Sequence, residues 1–385
     1  MNLLIASDSY KGSVSAYDAG ESIKKGILRA ISDADVTNVP MADGGEGTID
    51  AILANREGRL HEVNVHDPLM HSITVSYAGI THEGKDTAII ECARSTGLPL
   101  IPEEQRNPML LNSYGLGEQI LDAVKQGYQH LIITLGGSAT NDGGVGMLQA
   151  LGWTFYNDRD EELPIQGNQV ANVHRMSDQH RLSELDSCQI TIASDVTNPF
   201  HGKNGATHVF GPQKGATPAQ LETLDLALAR LASVFSKQYG ENIQTKPGSG
   251  AAGGLGGALY IGLQGTFEAG IDVVMDLTKL EDHIKQADLV ITGEGSLDQQ
   301  SLMGKVPHGV AKLAKKYKKP IIGLAGRHDL ELEQLNRHLD VVLSIQTEAR
   351  PMEQAIEPDF TRKQLTVTSE QLIRLYLLGR AHSTN

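Results

Sequence analysis

The chain has 385 residues, of which 40% are apolar and 21% charged, and 47 acidic against 33 basic residues give a net charge of −14. This length exceeds the size to which one hydrophobic core usually grows, so two domains are expected. A negative field repels phosphate backbones, which argues against a nucleic-acid partner. The two cysteines have no metal-type spacing. No apolar stretch is long enough to span a membrane, and the N-terminal apolar run has only four residues. These features predict a cytoplasmic protein with no membrane partner.

Short apolar runs typical of buried strands alternate with helical periodicity along the chain. A strand over residues 3–6 leads to a helix over 16–31, which Ser13 or Ser15 would cap. Extended segments follow within residues 62–80 and 89–92. Further apolar strands are predicted at residues 130–135, 188–193, 287–292 and 319–325. The apolar strands end in Gly, Ser, Asp or Glu, and the carboxyl ends of parallel strands form ligand crevices.

The alternation of strands and helices predicts an α/β protein with two domains. One is expected to be a Rossmann-like, doubly wound parallel sheet, built discontinuously from residues 1–65 and 280–385. The other, residues 66–279, is expected to carry a mixed sheet, because its extended segments are less regular. A basic run at residues 312–319 is typical of the solvated face and C-terminal end of a helix.

The first polar cluster, S-D-S-Y-K-G-S at residues 7–13, directly follows the first strand. It brings together Asp8, Ser9, Lys11 and Ser13. A lysine suits a phosphate group as a point charge, and the N-terminus of the next helix adds backbone donors. A helix cap with a surface lysine is the structural alternative.

The second cluster, M-A-D-G-G-E-G-T at residues 41–48, places two glycines between Asp43 and Glu46. Adjacent glycines let the backbone approach a ligand closely or adopt positive φ. The two carboxylates can hold Mg²⁺ or orient a hydroxyl group. The alternative is a glycine turn at the start of the helix that contains Ile49 and Ile52.

The third cluster, G-G-S-A-T-N-D-G-G-V-G at residues 136–146, directly follows the strand at 130–135. Four polar residues lie between two glycine pairs, an arrangement typical of anion-binding loops. Gly137, Ser138, Thr140 and Asn141 are therefore candidate phosphate-binding residues.

The fourth cluster, at residues 247–257, contains a formal G-x-G-x-x-G. A dinucleotide-binding motif would follow a strand, and no clear strand precedes this one. A phosphate-binding or helix-packing loop around Gly253 and Gly254 suits the segment better. A nicotinamide-dependent dehydrogenase stays open as an alternative.

The fifth cluster, G-E-G-S-L-D at residues 293–298, follows the strand at 287–292 and precedes Lys305. Glu294, Asp298 and this lysine can bind metal and phosphate or activate a hydroxyl group. Asp195 adds a carboxylate at the end of the strand at 188–193. Glycine-rich backbone, carboxylates and lysines at strand ends together fit phosphoryl transfer.

In this order the segments resemble the bacterial glycerate kinase family, the type 1 glycerate 2-kinases. The family motifs are S-[FY]-K-G-S, P-M-A-D-G-G-E-G-T, G-G-S-A-T-N-D-G-G, F-G-P-Q-K-G-A and T-G-E-G-x-x-D, and they lie here at residues 9–13, 40–48, 136–144, 210–216 and 292–298. Two departures are a longer loop after Glu91, which carries Arg94, and Ser194 before Asp195, where Ala or Cys is more usual.

The resemblance implies ATP- and Mg²⁺-dependent phosphorylation of D-glycerate, at the 2-hydroxyl in most members. The expected product is 2-phosphoglycerate rather than 3-phosphoglycerate, in the breakdown of glyoxylate, glucarate or galactarate. The family's fold is two α/β domains with the active site in the cleft between them. Monomer and homodimer both remain open. A non-catalytic sugar-acid sensor is a further alternative, although nothing resembles a DNA-reading helix.

Under this hypothesis each cluster has a chemical role. Asp195 would orient and deprotonate the substrate hydroxyl, while Lys11 and Lys305 would neutralise the transferring phosphoryl group. Mg²⁺ normally needs only one or two protein carboxylates. The candidate Mg²⁺ ligands are Asp43, Glu46, Glu294 and Asp298. The candidate substrate- or phosphate-binding residues are Asp8, Ser9, Ser13, Gly137, Ser138, Thr140, Asn141, Gly253 and Gly254.

Overall fold

The computed structural model describes residues 1–298, 304–329 and 332–383. The strands are β1 (Asn2–Ser7), β2 (Asp35–Asn38), β3 (Arg59–His66), β4 (Ser72–His82), β5 (Lys85–Glu91), β6 (His130–Thr134), β7 (Thr154–Tyr156), β8 (Arg175–Ser177), β9 (Gln189–Ala193), β10 (Thr266–Glu268), β11 (Leu289–Leu297), β12 (Ile321–His328) and β13 (Val341–Ser344). The α-helices are α1 (Ala16–Ala30), α2 (Thr48–Asn55), α3 (Ala93–Thr96), α4 (Tyr114–Lys125), α5 (Val145–Ala150), α6 (Ala206–Phe210), α7 (Pro218–Tyr239), α8 (Ala251–Leu263), α9 (Gly270–Leu277), α10 (Leu280–Gln286), α11 (Val306–Lys316), α12 (Glu333–Asn336), α13 (Met352–Ala355) and α14 (Pro358–Ser383).

The chain divides into two compact units. The first unit comprises Met1–Asp43, Asp50–Arg56 and the chain from Ile271 onward. The second unit comprises Gly44–Ile49 and Glu57–Gly270. The expected combination of a parallel sheet and a mixed sheet is confirmed, because each unit contains one of the two.

The first unit is built on a five-stranded sheet in the order β13-β12-β11-β1-β2, and every pair in it is parallel. Strand β1 pairs with β2 on one side and β11 on the other, so the winding direction reverses between β1 and β11. In open α/β sheets this reversal opens a crevice at the carboxyl ends of the two strands.

Helix α1 packs against this sheet and against α14. Its N-cap is Ser15, whose side chain accepts from the Asp18 amide at 3.1 Å, and not Ser13. Ile23 and Ile27 are fully buried in the core of the unit. The approach of α14 is close, because the Ser369 hydroxyl of α14 donates to the Ile23 carbonyl at 3.2 Å.

The second unit is built on a six-stranded sheet in the order β10-β9-β6-β5-β4-β3. Strands β10, β9, β6 and β5 are parallel, while β4 and β3 pair antiparallel at one edge. The core of the unit includes the fully buried rings of Tyr77, Phe155, Phe200 and Phe235. Helix α7, which covers part of it, begins with a capping box between Thr217 and Gln220.

The division of the chain differs from the expected one at three places. Gly44–Ile49, expected in the first domain, lies in the second unit. Strand β3, which the sequence pattern placed within residues 1–65, pairs with β4 along its whole length and therefore lies in the second unit. Residues 271–279, expected in the middle domain, lie in the first unit. In the part of the chain that the structure describes, no helix is both long enough and apolar enough to cross a membrane.

Candidate active site

In the first unit, predicted residues gather at the carboxyl ends of β1 and β11. Asp8 follows β1, and its amide donates to the Gly293 carbonyl of β11 at 2.9 Å. Glu294 lies inside β11, because this strand continues to Leu297 by pairing with β12. The amino group of Lys305 lies 3.7 Å from the Glu294 carboxylate. The reversal point of this sheet thus carries an acidic cluster with a lysine at its side.

The pKa of Asp8 is shifted by its surroundings at the carboxyl ends of β1 and β11. Burial, followed by the negative charges of Asp43 and Glu294, raises the pKa of Asp8 to about 8, although the Ser9 amide donates to its Oδ1 at 2.6 Å. The negative charges of Asp43 and Glu294, unlike burial, also favour a cation at this place. The donor set therefore fits Mg²⁺, a hard ion that prefers oxygen ligands.

The other candidates from the first unit differ in their exposure and in their hydrogen-bond partners. Asp298 directly follows β11 and is half-buried, and Lys11 is exposed. The Ser13 hydroxyl donates to the Thr361 hydroxyl of α14 at 2.7 Å, so its side chain is engaged within the fold.

The residues that the structure describes contain no group of three or more His, Cys, Asp or Glu side chains placed to hold a metal ion. Asp43, Glu46, Glu294 and Asp298 therefore do not form a preassembled metal cage. Mg²⁺ is commonly bound by one or two carboxylates together with substrate phosphates, so Asp43 and Glu294, whose charges both act on Asp8, remain sufficient candidates.

In the second unit, predicted residues follow the carboxyl ends of β6 and β9. Asp195 follows β9, and its Oδ1 accepts from the Gly270 amide at 2.8 Å. The glycine pair of the second cluster lies beside it: a Cβ built on Gly44 would be 3.0 Å from the Gly270 Cα, and one on Gly136 would be 2.8 Å from the Gly45 Cα. Such close backbone approach explains the glycines physically.

Glu46, the acidic residue of this segment, is exposed. The segment is attached through its end, because the Ile49 amide donates to the Glu91 carboxylate at 2.7 Å. Glu91 is buried, and its other oxygen accepts from Arg94 at 2.7 Å. The Arg94 guanidinium also donates to the Ser76 hydroxyl at 2.7 Å. The unusual loop after β5 thus supports the glycine segment.

The loop at residues 136–144 is mostly buried. Gly137 is exposed and has a φ of 67°, whereas Ser138, Thr140 and Asn141 are buried. The side-chain amide of Asn141 donates to the Thr207 hydroxyl at 2.9 Å, while its Oδ1 and the Thr140 hydroxyl have no hydrogen-bond partner among the described residues. The Thr140 hydroxyl can therefore donate to an anionic ligand, whereas the Asn141 Oδ1 can only accept a hydrogen bond.

A buried carboxylate holds this loop in shape. Asp142 accepts from the Ser113 amide and hydroxyl at 2.9 and 2.7 Å, and from the amides of Gly144 and Gly146, both at 3.1 Å. Its oxygens are satisfied by the fold itself. Asp142 is therefore a structural residue at the start of α5.

Gly253 and Gly254 pack against this loop. Both have left-handed backbone conformations in the distorted first turn of α8, and the Gly253 carbonyl accepts from the Gly143 amide at 3.0 Å. A Cβ on Gly253 would lie 2.1 Å from the Thr140 carbonyl oxygen. The segment before this motif is a single 3-10 turn, Ile243–Thr245, and not a strand. The surroundings are those of a packing loop rather than a dinucleotide fingerprint.

Lys214 was not among the predicted site residues. Its side chain is buried, and its amino group donates to the Ser138 hydroxyl at 3.0 Å and to the Thr140 carbonyl at 2.6 Å. Burial lowers the pKa of Lys214 to about 8. The available signal was its position in the motif F-G-P-Q-K-G-A. Periodicity could not distinguish Lys214 from a surface lysine, because it lies in a turn next to glycines.

Two α/β units with glycine-rich loops, carboxylates and lysines at the carboxyl ends of their sheets define an enzyme of the small-molecule kinase class. The family model described as "Glycerate kinase family" matches residues 3–377. A glycerate kinase of Haemophilus influenzae is 45% identical over 85% of this chain and 86% of its own length. The glycerate 2-kinase of Escherichia coli is 43% identical over 92% of this chain and 93% of its own.

A solved structure agrees with the sequence relatives. The crystal structure of a glycerate kinase 2 candidate from Salmonella typhimurium LT2 superposes with a TM-score of 0.86 at 40% identity, and the match covers 99% of each chain. The chain belongs to the glycerate kinase family.

Proposed function

We propose that this protein transfers the γ-phosphoryl group of ATP to the 2-hydroxyl of D-glycerate. The observation that carries the proposal is the 43% identity with the E. coli glycerate 2-kinase over 92% of this chain. The placement of the predicted residues at the carboxyl ends of the two sheets supports it. By the same resemblance we propose a cytoplasmic role in the breakdown of glyoxylate, glucarate or galactarate.

The proposed base is Asp195. It takes the proton of the glycerate hydroxyl as the oxygen bonds to the γ-phosphorus, and the bond from that phosphorus to the β-phosphate oxygen breaks to release ADP. The Gly270 amide, at 2.8 Å from Oδ1, holds this carboxylate in place. A base fixed by backbone loses little freedom when the substrate binds.

Asp43 and Glu294 are the proposed Mg²⁺ ligands, with Glu46 and Asp298 as further candidates. Their support is the charge around Asp8, whose pKa is raised first by burial and then by the negative charges of both carboxylates. When bound, Mg²⁺ would offset the negative charge of the ATP phosphates. Lys305, beside Glu294, and the exposed Lys11 would neutralise charge on the transferring group.

Anionic oxygens of the substrates are proposed to bind at the backbone and hydroxyl groups of the glycine-rich loops. In the second unit these are Gly137, Ser138, Thr140 and Asn141, and the partnerless buried hydroxyl of Thr140, which can donate to an anion, supports this assignment. In the first unit, Asp8 and Ser9 are the corresponding candidates, and Ser13 is the weaker one because its hydroxyl already donates to Thr361. Gly253 and Gly254 would act by shaping the neighbouring loop, given their packing.

The test is a coupled assay for ADP release with Mg-ATP and D-glycerate, followed by phosphorus NMR of the product. Glycerate-dependent ADP release together with a 2-phosphoglycerate signal is the expected result. A 3-phosphoglycerate signal would refute phosphorylation at the 2-hydroxyl but would still support glycerate kinase activity. No release above the ATP-only control would refute the acceptor, and a screen of other hydroxy acids would follow.

A further inference from the structure

Lys214 places an amino group inside the second unit, where it is 2% exposed. The proposed reaction gives this group no task. Burying an ammonium group is unfavourable unless its hydrogen bonds or charge are used. Its two hydrogen bonds, to the Ser138 hydroxyl and the Thr140 carbonyl, both lead into the loop that carries the candidate anion-binding residues.

The direction of the bond to Ser138 follows from chemistry. An ammonium group has three donors and no acceptor, so the serine oxygen must accept and its own proton must point elsewhere. Within the described residues, the Ser138 hydroxyl donates to no acceptor, and Ser138 directly follows the exposed Gly137. A hydroxyl polarised by a cation and left with its proton available is a hydrogen-bond donor for an anion.

The charge of Lys214 is not neutralised by an ion pair in the part of the chain that the structure covers. The groups facing it are the Cys92 thiol and the Asp142 carboxylate. Burial raises the pKa of Cys92 to about 11, so it stays a neutral thiol. Asp142 is already engaged by Ser113 and the loop amides.

We infer that Lys214 is a positioning residue, which fixes the Ser138 hydroxyl as a hydrogen-bond donor to an anionic oxygen of a substrate at Gly137. The inference rests on the proposed function and deepens it. The oxygen belongs either to the carboxylate of glycerate or to a phosphate of ATP, since the same donors suit both.

This arrangement has a pH signature. Above about pH 8 the amino group of Lys214 becomes neutral and gains a lone pair. It can then accept the Ser138 proton, and the hydroxyl is turned away from the substrate. The affinity for the anion should therefore fall as pH rises through this range. A purely structural lysine would have no such effect on one substrate.

The experiment compares the wild type with Lys214→Met, Ser138→Ala and the double variant, using Lys203→Met as the exposed-lysine control. KM and kcat for both substrates are measured between pH 7 and 9.5. For one substrate we expect the wild-type KM to rise severalfold across this range. Both single variants should start about tenfold higher, equivalent to roughly 1.4 kcal/mol of binding energy. They should lose the part of the pH response that depends on Lys214 and keep only any response from Asp8, whose pKa is also about 8. The substrate whose KM responds identifies the anion.

The double variant should be no worse than Ser138→Ala, because the two residues act through one hydrogen bond. If Lys214→Met fails to fold, Ser138→Ala alone decides. An unchanged KM and an unchanged pH response in Ser138→Ala would overturn the inference. A Lys214→Met protein whose kinetics are unchanged and which only melts at a lower temperature would also overturn it.

A wild type without glycerate-dependent turnover would instead refute the proposed function. Calorimetric titration with inorganic phosphate would then decide the inference: weaker binding in both variants supports it, and equal binding overturns it.

Discussion

The carboxylate of Asp195 has a fixed position, because a backbone amide, that of Gly270, donates to its Oδ1 at 2.8 Å. Asparagine in its place keeps the size and an acceptor oxygen but cannot take a proton. We expect Asp195→Asn to lower kcat by about 10²- to 10⁴-fold and to leave the KM for ATP within about twofold. Steady-state kinetics with Asp158→Asn, an exposed acid of the same unit, provides the control. Turnover near the wild-type rate would refute the proposal that Asp195 is the base.

Lys214 also makes a prediction about stability. Its pKa is about 8 in the folded protein against 10.5 for the free side chain. Between these values the unfolded chain binds more protons than the native one, so this residue makes stability rise with pH across that window. The full effect is about 3 kcal/mol. Below pH 8 both states are protonated and the burial penalty is complete.

The measurement is the difference in unfolding free energy between the wild type and Lys214→Met at pH 7 and at pH 10. Relative to the variant, the wild type should gain stability at the higher pH. Lys203→Met removes an exposed lysine and keeps the buried Lys214, so it should track the wild type at both values. A constant difference between wild type and Lys214→Met would show that the amino group does not titrate in this window.

At the level of elements, the first turn of α8 and the loop before α5 support each other through glycines. Gly253 has a φ of 72°, and a Cβ there would lie 2.1 Å from the Thr140 carbonyl oxygen. Gly240, at the end of α7, has nearly the same φ of 74° but open space around it. Gly240→Ala therefore isolates the backbone strain, about 1 kcal/mol, whereas Gly253→Ala adds a steric clash.

We expect Gly253→Ala to lose clearly more stability than Gly240→Ala, by at least about 2 kcal/mol, and to reduce turnover because the loop at residues 136–144 must shift. Thermal unfolding and the coupled assay measure both effects. Equal stability losses in the two variants would mean that the two loops do not depend on each other.

The sequence pattern predicted the elements whose signal is local. The apolar strands β1, β6, β9, β11 and β12 appear where their runs of Ile, Leu and Val lie. The features that the sequence pattern did not predict depend on pairing between strands that are distant in the chain. Strand β3 joins the second unit only because β4 pairs with it, and Glu294 lies within a strand only because β12 extends the ladder.

The candidate site was predictable to the same degree. Acidic residues at the ends of predicted strands marked Asp8 and Asp195, and clustered glycines marked the loop at residues 136–144. Lys214 could not be found this way, because its burial follows from packing between distant segments. The same holds for Ser13, whose hydroxyl is directed to Thr361 far along the chain.

For the whole molecule, the two units differ in how they are assembled from the chain. The second unit contains its complete six-stranded sheet and its own core within Glu57–Gly270, apart from the short segment Gly44–Ile49. The first unit draws on three separate stretches. A unit whose sheet and core are contained in one continuous stretch is expected to fold alone.

We therefore expect a fragment of residues 57–270 to unfold cooperatively, with a sharp thermal transition and little binding of a hydrophobic dye. It should melt below the full chain, because the buried Glu91 loses the Ile49 amide that donates to it at 2.7 Å. Ile133→Asp, which buries a charge in the middle of β6, should abolish the transition and serves as the unfolded reference. Ser72→Asp, at an exposed position of β4, should keep it. A fragment that binds dye strongly and melts without a transition would show that this core needs the rest of the chain to form.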